Sequence, residues 1–139
     1  MRWLLWFLLL CSPALGQPFV TVNNTIGYPV GSTPILGVGT GTTGAVVGTL
    51  TGAATQTTYI CGFDVSAIGG TATLGPIVIA GLLGGSFTYQ LASTTTGVTL
   101  NRTFTPCIPS SAVNTNITVT TTADASASAV DVNSWGYTK

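Results

Sequence analysis

Apolar and polar residues alternate with a period of two in several stretches of this chain. Over residues 57–66, Tyr59, Cys61, Phe63 and Val65 fall on one face, and Thr58, Gly62, Asp64 and Ser66 fall on the other. Phe87, Tyr89 and Leu91 likewise oppose Ser86, Thr88 and Gln90, and Ile117 and Val119 oppose Asn116, Thr118 and Thr120. Val98, Leu100 and Phe104 line up against Asn101, Thr103 and Thr105. One apolar and one wet face is the pattern of antiparallel sheet packed against a core on one side. Residues 77–80, Ile-Val-Ile-Ala, have no wet face and predict a central strand. With residues 19–22, 46–50, 72–74 and 129–137 the pattern predicts about eight or nine short strands. Turn residues separate them at Gly69-Gly70, Gly84-Gly85, 106–111 and 124–126.

The expected class is therefore all-β, an antiparallel β-sandwich that is jelly-roll-like or an Ig-like Greek key. No tryptophan lies between Cys61 and Cys107 to support the Ig arrangement, which favours the jelly-roll-like one. Residues 17–54 are rich in glycine and threonine with few large apolar side chains, and read as a loosely tethered N-terminal arm. Residues 55–139 read as the compact body.

Composition narrows the chemistry. Of 139 residues 45% are apolar and only 4% are charged, and histidine is absent. Beyond the first sixteen residues only Arg102 and Lys139 are cationic, too few to meet a nucleic-acid backbone. The surface helix formers Glu, Lys and Arg are almost missing, while Thr, Val and Ile, which favour pleated strands, abound.

The N-terminus reads as an export signal spanning residues 1–16. Arg2 is a minimal positive region, residues 3–10 are an unbroken apolar run, and Ala14 and Gly16 put small side chains before a cleavage point at Gln17. The run is less than half of the roughly 20 apolar residues needed to span a bilayer. A lipoprotein signal would place a small residue before Cys11, where Leu10 stands. The chain is expected to be secreted or periplasmic, with no membrane span.

Loss of the leader leaves Cys61 and Cys107. An even cysteine count in an exported chain predicts one disulfide. Two cysteines without histidine cannot complete a tetrahedral zinc site, and their spacing is not that of a redox pair.

Other motifs resolve into ordinary meanings. Gly39-Thr40-Gly41-Thr42-Thr43-Gly44 matches a dinucleotide-binding fingerprint, but the residues after it read as a strand where that site needs a helix. Without histidine no Ser-His-Asp or Cys-His site can be built, and Asp64, Asp124 and Asp131 lack the apolar setting that a general acid requires. No enzyme and no cofactor is expected. Asp131 and Asn133 share a strand face, yet calcium takes six to eight oxygens as a rule. Asn23, Asn101 and Asn116 stand in glycosylation sequons. Regular threonine rows evoke ice binding, but a fixed coil period is lacking. Tyr28, Trp135 and Tyr137 are the aromatic residues that the alternation leaves as surface platforms for a sugar ring. Phe63, Tyr59, Phe87, Tyr89 and Phe104 fall on inward faces.

The segment Thr58-Tyr59-Ile60-Cys61-Gly62-Phe63-Asp64-Val65-Ser66-Ala67, with the closing Val132-Asn133-Ser134-Trp135-Gly136-Tyr137, resembles a group of small exported proteins of rhizobia-like bacteria and related phage-associated reading frames. The likeness spans about residues 57–139. It implies secretion, a disulfide and a β-sandwich, and it carries no catalytic motif. The expected function is a non-enzymatic exported structural or interaction module that self-associates or meets a protein partner. A carbohydrate-binding module, with a glycan as ligand, is the alternative.

Overall fold

The computed structural model describes residues 27–42, 44–68, 75–91, 97–121 and 129–139. The expected export signal, the strands expected at 19–22 and 72–74, the turns expected at 69–70 and 124–126, Asn23 and Asp124 lie outside these residues. The described chain has no helix and forms eight strands: β1 (Thr33–Gly41), β2 (Val47–Leu50), β3 (Thr57–Ile68), β4 (Ile77–Leu82), β5 (Gly85–Tyr89), β6 (Val98–Val113), β7 (Ile117–Thr120) and β8 (Ala129–Thr138). All pairings are antiparallel. The strands follow the order β1-β8-β3-β6-β4-β7-β2, with β5 attached to β4.

This is one hydrogen-bonded path bent into a nearly closed barrel, where the sequence suggested the separate sheets of a sandwich. Strand β6 makes the bend. Its first part pairs with β3 through Thr103, and further on Ser110 meets Leu82 of β4, joining two four-stranded leaves. Alternate side chains of both leaves converge between them. Leu50, Ile60, Phe63, Val65, Ile77, Ile79, Ile117, Val119 and Val132 are all fully buried there. The 77–80 stretch is an interior strand as expected, since β4 has neighbours on both sides.

The reading of residues 17–54 as a loose arm is corrected for its described part, 27–42 and 44–54, because β1 and β2 belong to the sheet and Val46 and Leu50 belong to the core. The glycines that suggested looseness have a packing role. Gly37, Gly39 and Gly41 alternate along β1 on the face that meets β2. A Cβ at Gly37 or Gly39 would collide with the backbone of Thr49 or Val47, and one at Gly41 would meet the Val46 side chain. Only bare Cα atoms let β2 lie across β1 at backbone contact and bring the two ends of the path together. Strand β2 is also fastened to β7 at both ends. Thr121 N–H donates to the Val46 carbonyl at 2.9 Å, and Gly52 N–H donates to Asn116 Oδ1 at 2.8 Å. The dinucleotide-like glycines Gly39 and Gly41 thus sit inside a strand rather than opening a helix.

Gly37→Val should lower the unfolding free energy by roughly 3 kcal/mol or more, the upper end of overpacking costs, because the obstructing atoms are backbone. The neighbouring Val38→Thr, at a position 63% exposed, should change it by less than about 0.5 kcal/mol. Urea unfolding of the two variants checks both expectations.

Candidate functional site

The outer face of the β1-β8-β3-β6 leaf is organised by an irregularity at Cys61. Gly62 pairs with Trp135 and Ile60 pairs with Gly136, so Cys61 is an extra residue with no register partner on β8. The same residue is skipped against β6, where Gly62 faces Thr103 and Ile60 faces Ile108. An extra residue of this kind is a β-bulge, and it reverses the parity of side chains beyond it. Thr58 and Ile60 point into the core before the bulge, and Phe63, Val65 and Ala67 do so after it. This corrects the single face drawn through Tyr59, Cys61, Phe63 and Val65. Tyr59 turns outward and stacks on Tyr137 of β8, ring centroids 4.6 Å apart and planes 15° apart.

Strand β6 is irregular at the same level. Between Thr103 and Ile108 it spends five steps where β3 spends two, so Phe104, Thr105, Pro106 and Cys107 bow out of the ladder. The Cys61–Cys107 disulfide joins the bulge to this excursion, S–S 2.01 Å, as the cysteine count predicted. The sequence separation of 46 residues gives a chain-entropy stabilisation of about 4 kcal/mol.

Together these features wall a cleft of about 480 Å³. Tyr28, Trp135 and Tyr137, the three aromatics read from the sequence as surface platforms, all line it. Trp135 lies across Gly62, where any Cβ would collide with its indole. Tyr28 arrives from ahead of β1 on the turn Pro29–Ser32. There Ser32 N–H donates to the Pro29 carbonyl at 3.1 Å, and Gly31 takes φ 81°, a left-handed conformation suited to glycine. The turn brings the Tyr28 ring to 5.5 Å from that of Tyr137. Tyr137 is therefore the middle ring of three and only 7% exposed, while Trp135 and Tyr28 are half-buried. The disulfide and the bowed segment with Thr105 form the opposite wall, and Phe104 links that wall to the core through the Phe63 ring, 6.2 Å away.

Sequence reasoning missed Tyr59 and the bowed segment. For the second, the sequence reading of residues 106–111 as a turn is corrected: they lie within β6, and Pro106, which cannot donate to a ladder, marks the bow in that strand and not its end. Phe87 is a further correction, being 46% exposed on the outermost strand β5 rather than inward. Tyr89 does pack on Phe63, at 5.5 Å, and carries the Arg102 guanidinium 5.7 Å above its ring.

Beside the cleft the register lays out polar rows. Asn133 and Asp64 are cross-strand neighbours, as are Asp64 and Asn101, and Asn133 Nδ2 donates to Asp64 Oδ1 at 2.9 Å. Asp131 and Ser66 form the next row. The cleft lining carries hydroxyls and aromatic faces but no charged side chain. Among the described residues no three His, Cys, Asp or Glu side chains gather into a metal site.

Burial raises the Tyr137 pKa above 10.0, with the neighbouring Tyr59 adding to the shift, and burial alone raises that of Tyr28. A raised folded-state pKa means that the unfolded chain loses these protons first. The associated stability is complete below the unfolded value near pH 10 and is lost as the pH climbs through the folded values. Thermal unfolding should therefore be insensitive to this cluster up to about pH 9 and should weaken above pH 10, less steeply in Tyr137→Phe. Melting curves paired with tyrosinate absorbance check this.

No protein-family model, curated protein or solved structure matches the chain.

Proposed function

We propose that the chain is an exported, non-enzymatic structural or interaction module that assembles with further copies of itself through the β1 edge. The apolar run at residues 3–10 followed by small residues supports export. The disulfide is compatible with an oxidising compartment, secreted or periplasmic, and no helix of the described residues is long and apolar enough to cross a membrane. The cleft lining has stacking surfaces and hydroxyls but no carboxylate or free thiol, which supports contact rather than catalysis.

The observation that carries the assembly reading is β1 itself. It pairs with β8 alone and presents Leu36 and Val38 at 76% and 63% exposure. Exposed edges are ordinarily blunted by lysine, inward charge or proline. Strand β1 has no charged side chain, and its one proline, Pro34, lies at the very start. Two such edges meet without charge repulsion, and their hydroxyls lose less on desolvation than charges would, provided hydrogen bonds re-form. A carbohydrate-binding module is a second reading, favoured by the meeting of Tyr28, Trp135 and Tyr137 in one cleft. It concerns the same outer face, since Leu36 and Val38 are the cross-strand neighbours of Trp135 and Asn133, with the cleft itself extending away from β1 toward β6.

Sedimentation velocity over a wide concentration range should show reversible association that is insensitive to salt. Leu36→Asp and Val38→Lys, both at exposed positions, should shift the population to monomer while near-ultraviolet circular dichroism stays that of the folded chain. A wild-type chain that stays monomeric throughout would remove the assembly reading, and association abolished by salt would contradict its neutral-edge basis.

A further inference from the structure

We propose that the cleft and the polar row beside it form one binding site for a neutral glycan, in which Trp135 stacks on a pyranose ring and Asp64 with Asn133 reads its hydroxyls. The inference deepens the carbohydrate-binding reading. Trp135 and Asn133 neighbour Leu36 and Val38 across the ladder, and Asp64, two strands from β1, is the position that separates it from the assembly of β1 edges.

Three observations carry it. The first is the posture of Trp135. Gly62 has no side chain, so the indole takes the space a Cβ would occupy there, and it remains half-buried and lines the cleft. Aromatic neighbours hold the floor of the site in place. Tyr137 is clamped between Tyr59 and Tyr28, and the disulfide fixes the wall opposite. A platform that is already rigid loses little freedom when a ring settles on it.

The second observation is spacing. Trp135 and Asn133 are two residues apart on β8, a separation of roughly 7 Å, and Asp64 lies one strand over, about 5 Å away. A sugar stacked on the indole places its ring hydroxyls at that distance from the Asn133–Asp64 pair. Asn133 Nδ2 donates to Asp64 Oδ1 at 2.9 Å and orients the carboxylate, which leaves the second oxygen as an acceptor for a ligand hydroxyl. Asn101 extends the row on β6, and the Thr103 hydroxyl lies at the cleft.

The third observation is charge. No lysine or arginine lines the cleft, and Asp64 and Asp131 stand on the same outer face. That combination repels phosphates, uronates and nucleic acid while suiting an uncharged polyol with one apolar ring face. A second copy seated in the cleft would have to present a flat apolar face rimmed by hydroxyls, and such an occupant is an outcome of the test.

The test is calorimetric titration of the full chain with neutral oligosaccharides (cellohexaose, laminarihexaose, mannohexaose and chitohexaose) and with an oligouronate as the charged comparison. At least one neutral oligosaccharide should bind and the oligouronate should not. Trp135→Ala should weaken binding roughly tenfold or more, since loss of an aromatic face contact and its buried area is worth about one decade. Trp135→Phe should retain most of the affinity, and Asp64→Asn should alter the preference among the sugars. Near-ultraviolet circular dichroism establishes that each variant is folded. If Trp135→Ala fails to fold, Asp64→Asn decides, and an unchanged preference among the sugars overturns the site. Absence of binding to every neutral probe, or binding undiminished in folded Trp135→Ala, also overturns it. Asp64→Asn separates the two readings, because Asp64 lies on β3, two strands from β1, and its loss should change sugar binding while leaving the association intact. Assembly without sugar binding would defeat the glycan inference alone, and sugar binding by a monomer would defeat the assembly reading alone. Wild-type association that disappears in Thr105→Arg, on the cleft wall away from β1, would identify a second copy as the occupant of the cleft and overturn the glycan.

Discussion

The extra residue at Cys61, tied to Cys107, is the constraint on which the outer face of this protein depends. Strand β3 runs between β6 and β8 and supplies buried side chains on both sides of the bulge. An uninterrupted strand could not place both Ile60 and Phe63 in the core, because three steps carry a side chain to the opposite face. With one residue taken out of register, both are fully buried. The same shift releases Tyr59 to the outside, where it stacks on Tyr137, and leaves Gly62 beneath the Trp135 indole. The disulfide holds the matching bow of β6 against the bulge, so core packing and cleft shape share one origin.

The other end of the sheet follows a related economy of volume. Glycines along β1 bring β2 to backbone contact, which nearly closes the barrel without a large side chain between the strands. Strand β8 lies under both regions. Its inward residues Val130 and Val132 pack in the core, and inward Ser134 donates to the Gly37 carbonyl at 3.1 Å. Its outward residues Asp131, Asn133, Trp135 and Tyr137 make the polar row and the aromatic cleft. A single alternating strand thereby couples the closure of the barrel to the surface that it displays.

Much of this was legible in the residues themselves. Period-two alternation located β5 and β7, the unbroken apolar run at 77–80 located β4, and the missing helix formers excluded a mixed fold. The disulfide followed from the two cysteines that remain outside the expected leader. Tyr28, Trp135 and Tyr137 were recognisable as the aromatics outside the inward pattern. What escaped was long-range. Alternation assumes an unbroken ladder, and nothing local to Thr58–Ser66 announces that Cys61 is the inserted residue. Glycine-rich sequence reads as loose chain unless the partner strand is known, and Gly37 makes sense only against Thr49. Phe87 was placed inward because pattern alone cannot tell an outermost strand, one of whose faces lacks a cover, from an interior one.

The bulge is tested most directly by aromatic nuclear Overhauser effects in the oxidised protein. The account predicts cross-peaks between the Tyr59 and Tyr137 rings, with the Ile60 methyls among those of the core. Cross-peaks from the Tyr59 ring to core methyls such as Ile117, with none to Tyr137, would mean that β3 alternates without interruption and would contradict it.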